Sequence, residues 1–250
     1  MMIVNKGTFT KGVLLMVSFL VVFMLIMSPL FGGKTGLEFS DDFFNRLSKN
    51  SSDYFEEVKT GIEKQKGKQL AVTATIAKPD PKDEADPAKA TAIANKKAAD
   101  VAKALTAAGA TVDVKDNVLN VKGDLGSMLS FAATKAKDVF MVVGPAAETP
   151  ENKANHKLLK DLWTGFSALI KPLQKEGKVA EAKALDAVMK KALEPGYNFY
   201  GIEGESVTKN IFLLSFLLIF YVIYTMWYGY AIFFMFDGIG LSMKKSKKKA

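Results

Sequence analysis

The residue types that carry most enzyme and metal chemistry are scarce in this 250-residue chain. It has no cysteine and a single histidine, His156. The missing thiols exclude disulfides, thiolate zinc sites, iron–sulfur clusters, a cysteine nucleophile and palmitoylation. One imidazole excludes every site that needs two and leaves a Ser-His-Asp triad only one candidate. Because His156 lies in the lysine-rich stretch ENKANHKLLK, we expect its side chain to be solvated.

Two other motifs resemble binding sites only in part. Gly33-Lys34-Thr35 matches the end of a phosphate-binding loop, but that loop needs a glycine where this chain has Ser28. The acidic residues of segment 80–86 lack the EF-hand calcium pattern and alternate with lysines and prolines. We therefore predict no catalytic residue, no cofactor and no metal site, and we identify no small-molecule substrate.

Two uncharged apolar segments are long enough to cross a membrane. Residues 13–31 form a run of 19, and residues 211–236 form a run of 26. About 20 apolar residues cross the ~30 Å hydrocarbon layer as a helix, whereas a surface helix of a soluble protein has a polar face. A cleaved signal peptide is the alternative for the first segment. Its apolar core is longer than the usual ~7–15 residues, so a retained anchor fits better.

The lysines at the two ends predict the orientation. Formal net charge is +8, and +6 of it lies in segments 1–12 and 237–250, whereas 34–210 is nearly balanced. Lysine-rich flanks stay on the cytoplasmic side and also attract anionic lipid head groups. These lysines are Lys6, Lys11, Lys244, Lys245, Lys247, Lys248 and Lys249. We expect a bacterial inner-membrane protein with two cytoplasmic tails, a periplasmic segment 34–210 and no nucleic-acid partner.

The second apolar segment carries an aromatic stripe. Ionisable groups inside a membrane mark ion and proton paths, and neither segment contains one, which argues against a pump or channel. Residues four apart share a helix face. Five aromatic residues follow that spacing: Phe212, Phe216, Phe220, Tyr224 and Tyr228. The stripe is interpreted either as contact with lipid and the interfacial belt or as contact with the helices of another subunit.

The periplasmic segment begins with residues 37–66, where apolar residues recur every three or four positions. This spacing predicts two amphipathic helices close to the membrane. The first helix carries Phe39, Phe43 and Phe44. We expect these rings either to lie on the lipid head groups or to pack on the rest of the domain.

Residues 69–144 predict an α+β core. An alternating strand at 69–77 is followed by an alanine-rich helix that ends near Gly109, and then by short strands at 110–114 and 118–121. A helix over 124–137 and a fourth strand at 139–143 complete the order β-α-β-β-α-β. This order is the ferredoxin-like pattern, with two helices on one face of a four-stranded antiparallel sheet.

Residues 150–194 predict a helical hairpin that turns at Glu176-Gly177. We expect Pro172 to bend or end its first helix and Glu194-Pro195-Gly196 to stop its second. A linker over 195–210 then returns to the membrane. It carries Tyr197, Phe199 and Tyr200, which predict an interfacial anchor or a contact with a partner.

The sequence therefore describes an α+β domain between two transmembrane helices. The function that we expect is a non-enzymatic accessory or scaffold subunit of a membrane complex, whose partners are lipids and other membrane-protein subunits. A periplasmic sensory or ligand-binding module that signals through a partner subunit is the alternative. An enzyme is the third possibility, and it has the fewest candidate residues.

Overall fold

The structure is a computed structural model that describes residues 3–241. The described chain divides into two compact units, one formed by residues up to 47 with those from 205 onward and one by residues 48–204. In chain order, the elements are α1 (Lys6–Ile26), α2 (Gly36–Ser51), α3 (Phe55–Glu63), β1 (Gln69–Thr75), α4 (Pro87–Ala107), β2 (Thr111–Lys115), β3 (Val118–Asp124), α5 (Leu125–Phe140), α6 (Pro150–Lys175), α7 (Val179–Val188), α8 (Glu194–Asn198) and α9 (Ile211–Gly238).

The first unit is built on the antiparallel pair α1 and α9. Both helices are long and apolar enough to cross a membrane, and almost none of their residues are fully buried within the protein. The side chain of Asn5 caps α1 by accepting a hydrogen bond from the Thr8 amide at 3.1 Å. The helix therefore starts at Lys6 and ends at Ile26, several residues earlier at each end than segment 13–31.

The second unit contains a three-stranded antiparallel sheet in the order β1-β3-β2. Val72 of β1 pairs with Val121 of β3, and Val112 of β2 pairs with Val121 from the other side. Side chains alternate between the two faces of a strand, so one face is apolar and buried. Leu70, Val72 and Ala74 supply that face from β1.

The predicted fourth strand is absent from the described residues, so the ferredoxin-like core is not confirmed. Val139 and Phe140 are buried in the last turn of α5. They continue the helical spacing of three and four that begins at Leu125, so the short apolar run extends α5 instead of forming a strand. Val143 alone pairs with another segment, in an isolated bridge to Gly201.

Helices α3 to α7 and the sheet contribute to one hydrophobic core in the second unit. Neither predicted helix end lies where the sequence placed it. Helix α6 does not end at Pro172 but continues to Lys175, and Gly177 makes the following turn with a positive φ. After α7, a widened π turn over Met189–Leu193 leads without a break into α8, so the chain stays helical through Pro195 and Gly196.

Candidate functional site

Small residues allow the two apolar helices to approach closely. A Cβ atom on Gly12 would lie 2.6 Å from the Met235 amide nitrogen, and one on Gly238 would lie 2.6 Å from the Cβ of Phe9. Both the Val4 and Asn5 amides donate to the Gly238 carbonyl at 2.9 Å. The start of α1 and the end of α9 therefore lie side by side.

Aromatic rings fill the interface between α1 and α9 further along the pair. Phe19 stacks on Tyr224 with ring centroids 4.3 Å apart and contacts Tyr228 at 5.2 Å. The indole nitrogen of Trp227 donates to the Leu15 carbonyl at 3.1 Å. This bond gives the indole nitrogen a partner inside an otherwise apolar helix pair.

The structure divides the aromatic stripe into two parts. Tyr224 and Tyr228 contact α1, and Phe220 stacks on Tyr224 at 5.4 Å. Phe212 and Phe216 point outward with exposed fractions of 87% and 61%. Phe212 and Phe216 are therefore the most exposed rings of the stripe, and Tyr228 keeps 45% of its surface exposed beside its contact with Phe19.

The phenylalanines of α2 form a chain of ring contacts within the first unit. Phe43 is buried and lies 6.4 Å from Phe39 and 5.5 Å from Phe44, measured between ring centroids. Phe44 is exposed, so it is the member of this group that is available for an outside contact.

A polar pair in the first unit was missed by the sequence analysis. A guanidinium nitrogen of Arg46 lies 2.8 Å from a carboxylate oxygen of Glu205. The Glu205 amide also donates to the Arg46 carbonyl at 3.0 Å, and the Asn210 side chain donates to the other carboxylate oxygen at 3.0 Å. The signal available in the sequence was that Arg46 is the only arginine among 34 basic residues.

The structure places the linker aromatics against the core of the second unit. Tyr197, Phe199 and Tyr200 are half-buried. Contrary to the expectation of a solvated side chain, His156 lies between two of them, with ring centroids 4.1 Å from Tyr197 and 4.3 Å from Tyr200. A ring nitrogen of His156 also contacts the Tyr197 carbonyl at 2.9 Å.

A buried lysine holds the residues that follow this aromatic group. Lys49 is 5% exposed, and its ammonium donates to the Ile202 carbonyl at 2.5 Å. It also lies 4.9 Å above the Phe140 ring. Burial lowers the pKa of Lys49 because it disfavours the charged form. The carbonyl and the ring each offset part of that cost.

The predicted lipid-facing lysines are described only at the first end of the chain. Lys11 lies with its ammonium 4.4 Å above the Phe234 ring, and Lys6 is exposed at the start of α1. The five predicted lysines of the second tail lie outside the described residues: Lys244, Lys245, Lys247, Lys248 and Lys249.

The acidic segment 80–86 serves local structure. A carboxylate oxygen of Asp80 accepts from the Lys82 amide at 2.9 Å, and Asp86 caps α4 by accepting from the Ala88 amide at 2.8 Å. Within residues 3–241, no group of three or more acidic or histidine side chains is arranged to hold a metal ion.

The second unit has a groove lined by both polar and apolar residues that the sequence did not predict, and we call it the lysine groove. Its volume is about 630 Å³. It lies between the end of β1, one face of α6 and a lysine of α4. Its lining residues are Thr73, Thr75, Ile76, Ala77, Lys97, Trp163, Thr164, Ser167, Ala168, Lys171, Pro172 and Lys175.

No protein-family model matches this chain, and no curated protein or solved structure is significantly similar to it.

Proposed function

We propose that this chain is a two-pass protein of a bacterial inner membrane, with both termini in the cytoplasm and residues 34–210 in the periplasm. The antiparallel contact between Gly238 and Phe9 supports this topology, because it puts both chain ends on one side of the helix pair. The lysines beside those ends favour the cytoplasmic side.

We further propose that it acts as a non-enzymatic accessory or scaffold subunit, with lipids and other membrane-protein subunits as partners. The supporting observation is the outward-facing part of the stripe. Phe212 and Phe216 stand on the exposed side of α9, away from the contacts with α1. Rigid aromatic side chains bring large contact areas to an interface at low entropic cost.

The topology is tested with single cysteines, because the natural chain has none to give background labelling. Ser52→Cys and Ser246→Cys are exposed separately to a membrane-impermeant thiol reagent. In cells with a permeabilised outer membrane and an intact inner membrane, we expect labelling at position 52 only. Labelling at position 246 in those cells would contradict the topology.

The subunit role is tested by purification at native abundance in mild detergent, followed by mass spectrometry of the co-eluting proteins. We expect a defined membrane partner that is lost from F212A/F216A. The control is L218A/V222A, which removes exposed aliphatic side chains from a different side of α9 and should retain the partner. Recovery of the natural chain alone, or equal loss in both variants, would count against the proposal.

A further inference from the structure

The lysine groove concentrates positive charge in a segment that is otherwise nearly neutral. Lys97, Lys171 and Lys175 line it, and none of them forms an ion pair with any described residue. No carboxylate belongs to its lining. Lys157, which comes from the same helix α6, differs from them because it lies between Asp100 and Asp161. An unbalanced cluster of this kind attracts anions.

The groove also presents hydrogen-bonding groups without protein partners. Within the described chain, the hydroxyls of Thr75 and Ser167 make no hydrogen bond. Pro172 has no amide hydrogen, so the carbonyl of Ala168 lacks the donor that it would receive in a regular helix. Donors and an acceptor therefore lie together, and a ligand with many hydroxyls satisfies both kinds.

An aromatic platform stands at the edge of the groove. Trp163 is 39% exposed, and its indole nitrogen donates to a carboxylate oxygen of Glu194 at 2.9 Å. This bond holds the ring in one orientation. The face of an indole carries partial negative charge, so it attracts the slightly positive C–H groups on the face of a sugar ring.

We propose that the lysine groove binds an anionic saccharide. The three lysines pair with its carboxylate or phosphate groups, Ser167 and Ala168 meet its hydroxyls, and one sugar ring stacks on Trp163. An acidic peptide would satisfy the lysines, but it does not by its nature present a flat ring to the indole. The proposal is independent of the subunit role, because all of these residues belong to the second unit.

The binding test uses the full chain in a detergent that has no sugar head group. Trp227→Phe leaves Trp163 as the only tryptophan, since the sequence has two. The probes are trigalacturonate for a carboxylate source, glucose 6-phosphate for a phosphate source, maltotriose as the neutral control and tetraglutamate as the peptide control. We expect a saturable change in Trp163 fluorescence with an anionic saccharide at least about tenfold tighter than with maltotriose, a difference of about 1.4 kcal/mol.

Salt and charge variants test the mechanism of binding. Raising salt from ~50 to ~500 mM should weaken the binding several-fold, because ions screen exposed charges. K97Q/K171Q/K175Q should bind about tenfold or more weakly. The matched control K64Q/K89Q/K183Q removes the same charge from exposed lysines outside the groove and should change the affinity less than about twofold. Circular dichroism confirms that each variant is folded.

Three results would overturn the proposal. They are tighter binding of tetraglutamate than of either acidic saccharide, no preference for an acidic saccharide over maltotriose, and equal loss of affinity in the two triple variants. Tighter binding of trigalacturonate than of glucose 6-phosphate would show that the groove prefers saccharides with carboxylate groups. The reverse order would show a preference for saccharides with phosphate groups.

Discussion

Gly196 at the start of α8 lies directly against the backbone of Ala136 in α5. A Cβ atom at position 196 would stand 2.7 Å from the Ala136 carbonyl oxygen and 3.0 Å from a methyl group of Leu159. The first of these neighbours is backbone, which cannot move aside without shifting the helix. The crossing of α8 over α5 therefore depends on the missing side chain.

Gly196→Ala should destabilise the second unit by about 1–3 kcal/mol, the usual result of overpacking a tight contact. The expected fall in Tm is roughly 2–4 °C for each kcal/mol in a domain of this size. Thermal unfolding followed by circular dichroism measures it. The matched control is Gly61→Ala in α3, where nothing lies within 4 Å and the added methyl should be neutral or stabilising by up to about 1 kcal/mol. Equal changes in Tm in the two variants would show that the close contact at Gly196 does not limit stability.

The stability of the second unit should depend on the ionisation of Asp124. Asp124 caps α5 by accepting from the Ser127 amide at 2.7 Å, and that bond holds the pKa of its carboxyl below the ordinary value. Because this pKa is lowered, the contribution of the Asp124 carboxylate to the free energy of unfolding is complete above the ordinary pKa of ~3.9. It is lost as the pH falls through the folded-state pKa.

Two variants separate the cap from its charge. At pH 7, Asp124→Ala should cost about 0.5–2 kcal/mol. Asp124→Asn keeps the cap and should lose only the charge–dipole part of about 0.3–1 kcal/mol. Melting curves between pH 7 and pH 3 measure the difference in stability between the natural chain and Asp124→Asn. This difference should shrink as the pH falls. A difference that does not change with pH would show that the charge has no role.

The local sequence pattern was sufficient to predict an element whose apolar spacing fits only one type of secondary structure. Alternation in Leu70, Val72 and Ala74 predicted a strand with one buried face, and the structure has that strand. Alternation and helical spacing cannot be told apart in a run of five apolar residues, so 139–143 was assigned to the wrong element. The helix continues there because Val139 and Phe140 fall on the buried face of α5.

The sites depend on residues that are distant in sequence, which explains why they were missed. Lys97 meets Lys171 and Lys175 only because α4 packs beside α6. The spacing of Thr164, Lys171 and Lys175 would have shown one polar side of α6, but a polar side alone is usually just solvated. Only the tertiary structure shows that these lysines lack carboxylate partners.

His156 should slow the amide hydrogen exchange of the segment that carries the linker aromatics. His156→Ala removes both ring stacks and the contact with the Tyr197 carbonyl, for an expected loss of about 1–2 kcal/mol. The Gly201 amide, which donates to the Val142 carbonyl at 3.1 Å, should then exchange its hydrogen faster. Hydrogen exchange with mass spectrometry measures residues 197–201. His156→Phe keeps the stacking and should restore most of the protection, so equal exchange in both variants would contradict the role of the rings.

The contact between α1 and α9 should fail when Gly12 gains a side chain. In Gly12→Leu the added group would meet the Met235 backbone, so the helices must separate and Trp227 must lose its hydrogen bond to the Leu15 carbonyl. Trp163→Phe is the background, so that Trp227 is the only emitting tryptophan. Its emission should move to shorter wavelength, because the excited state of an indole without a hydrogen bond in apolar surroundings is less stabilised. Gly229→Leu is the control, since nothing lies within 4 Å of that position. Unchanged emission in Gly12→Leu would mean that the helices do not pack through this glycine.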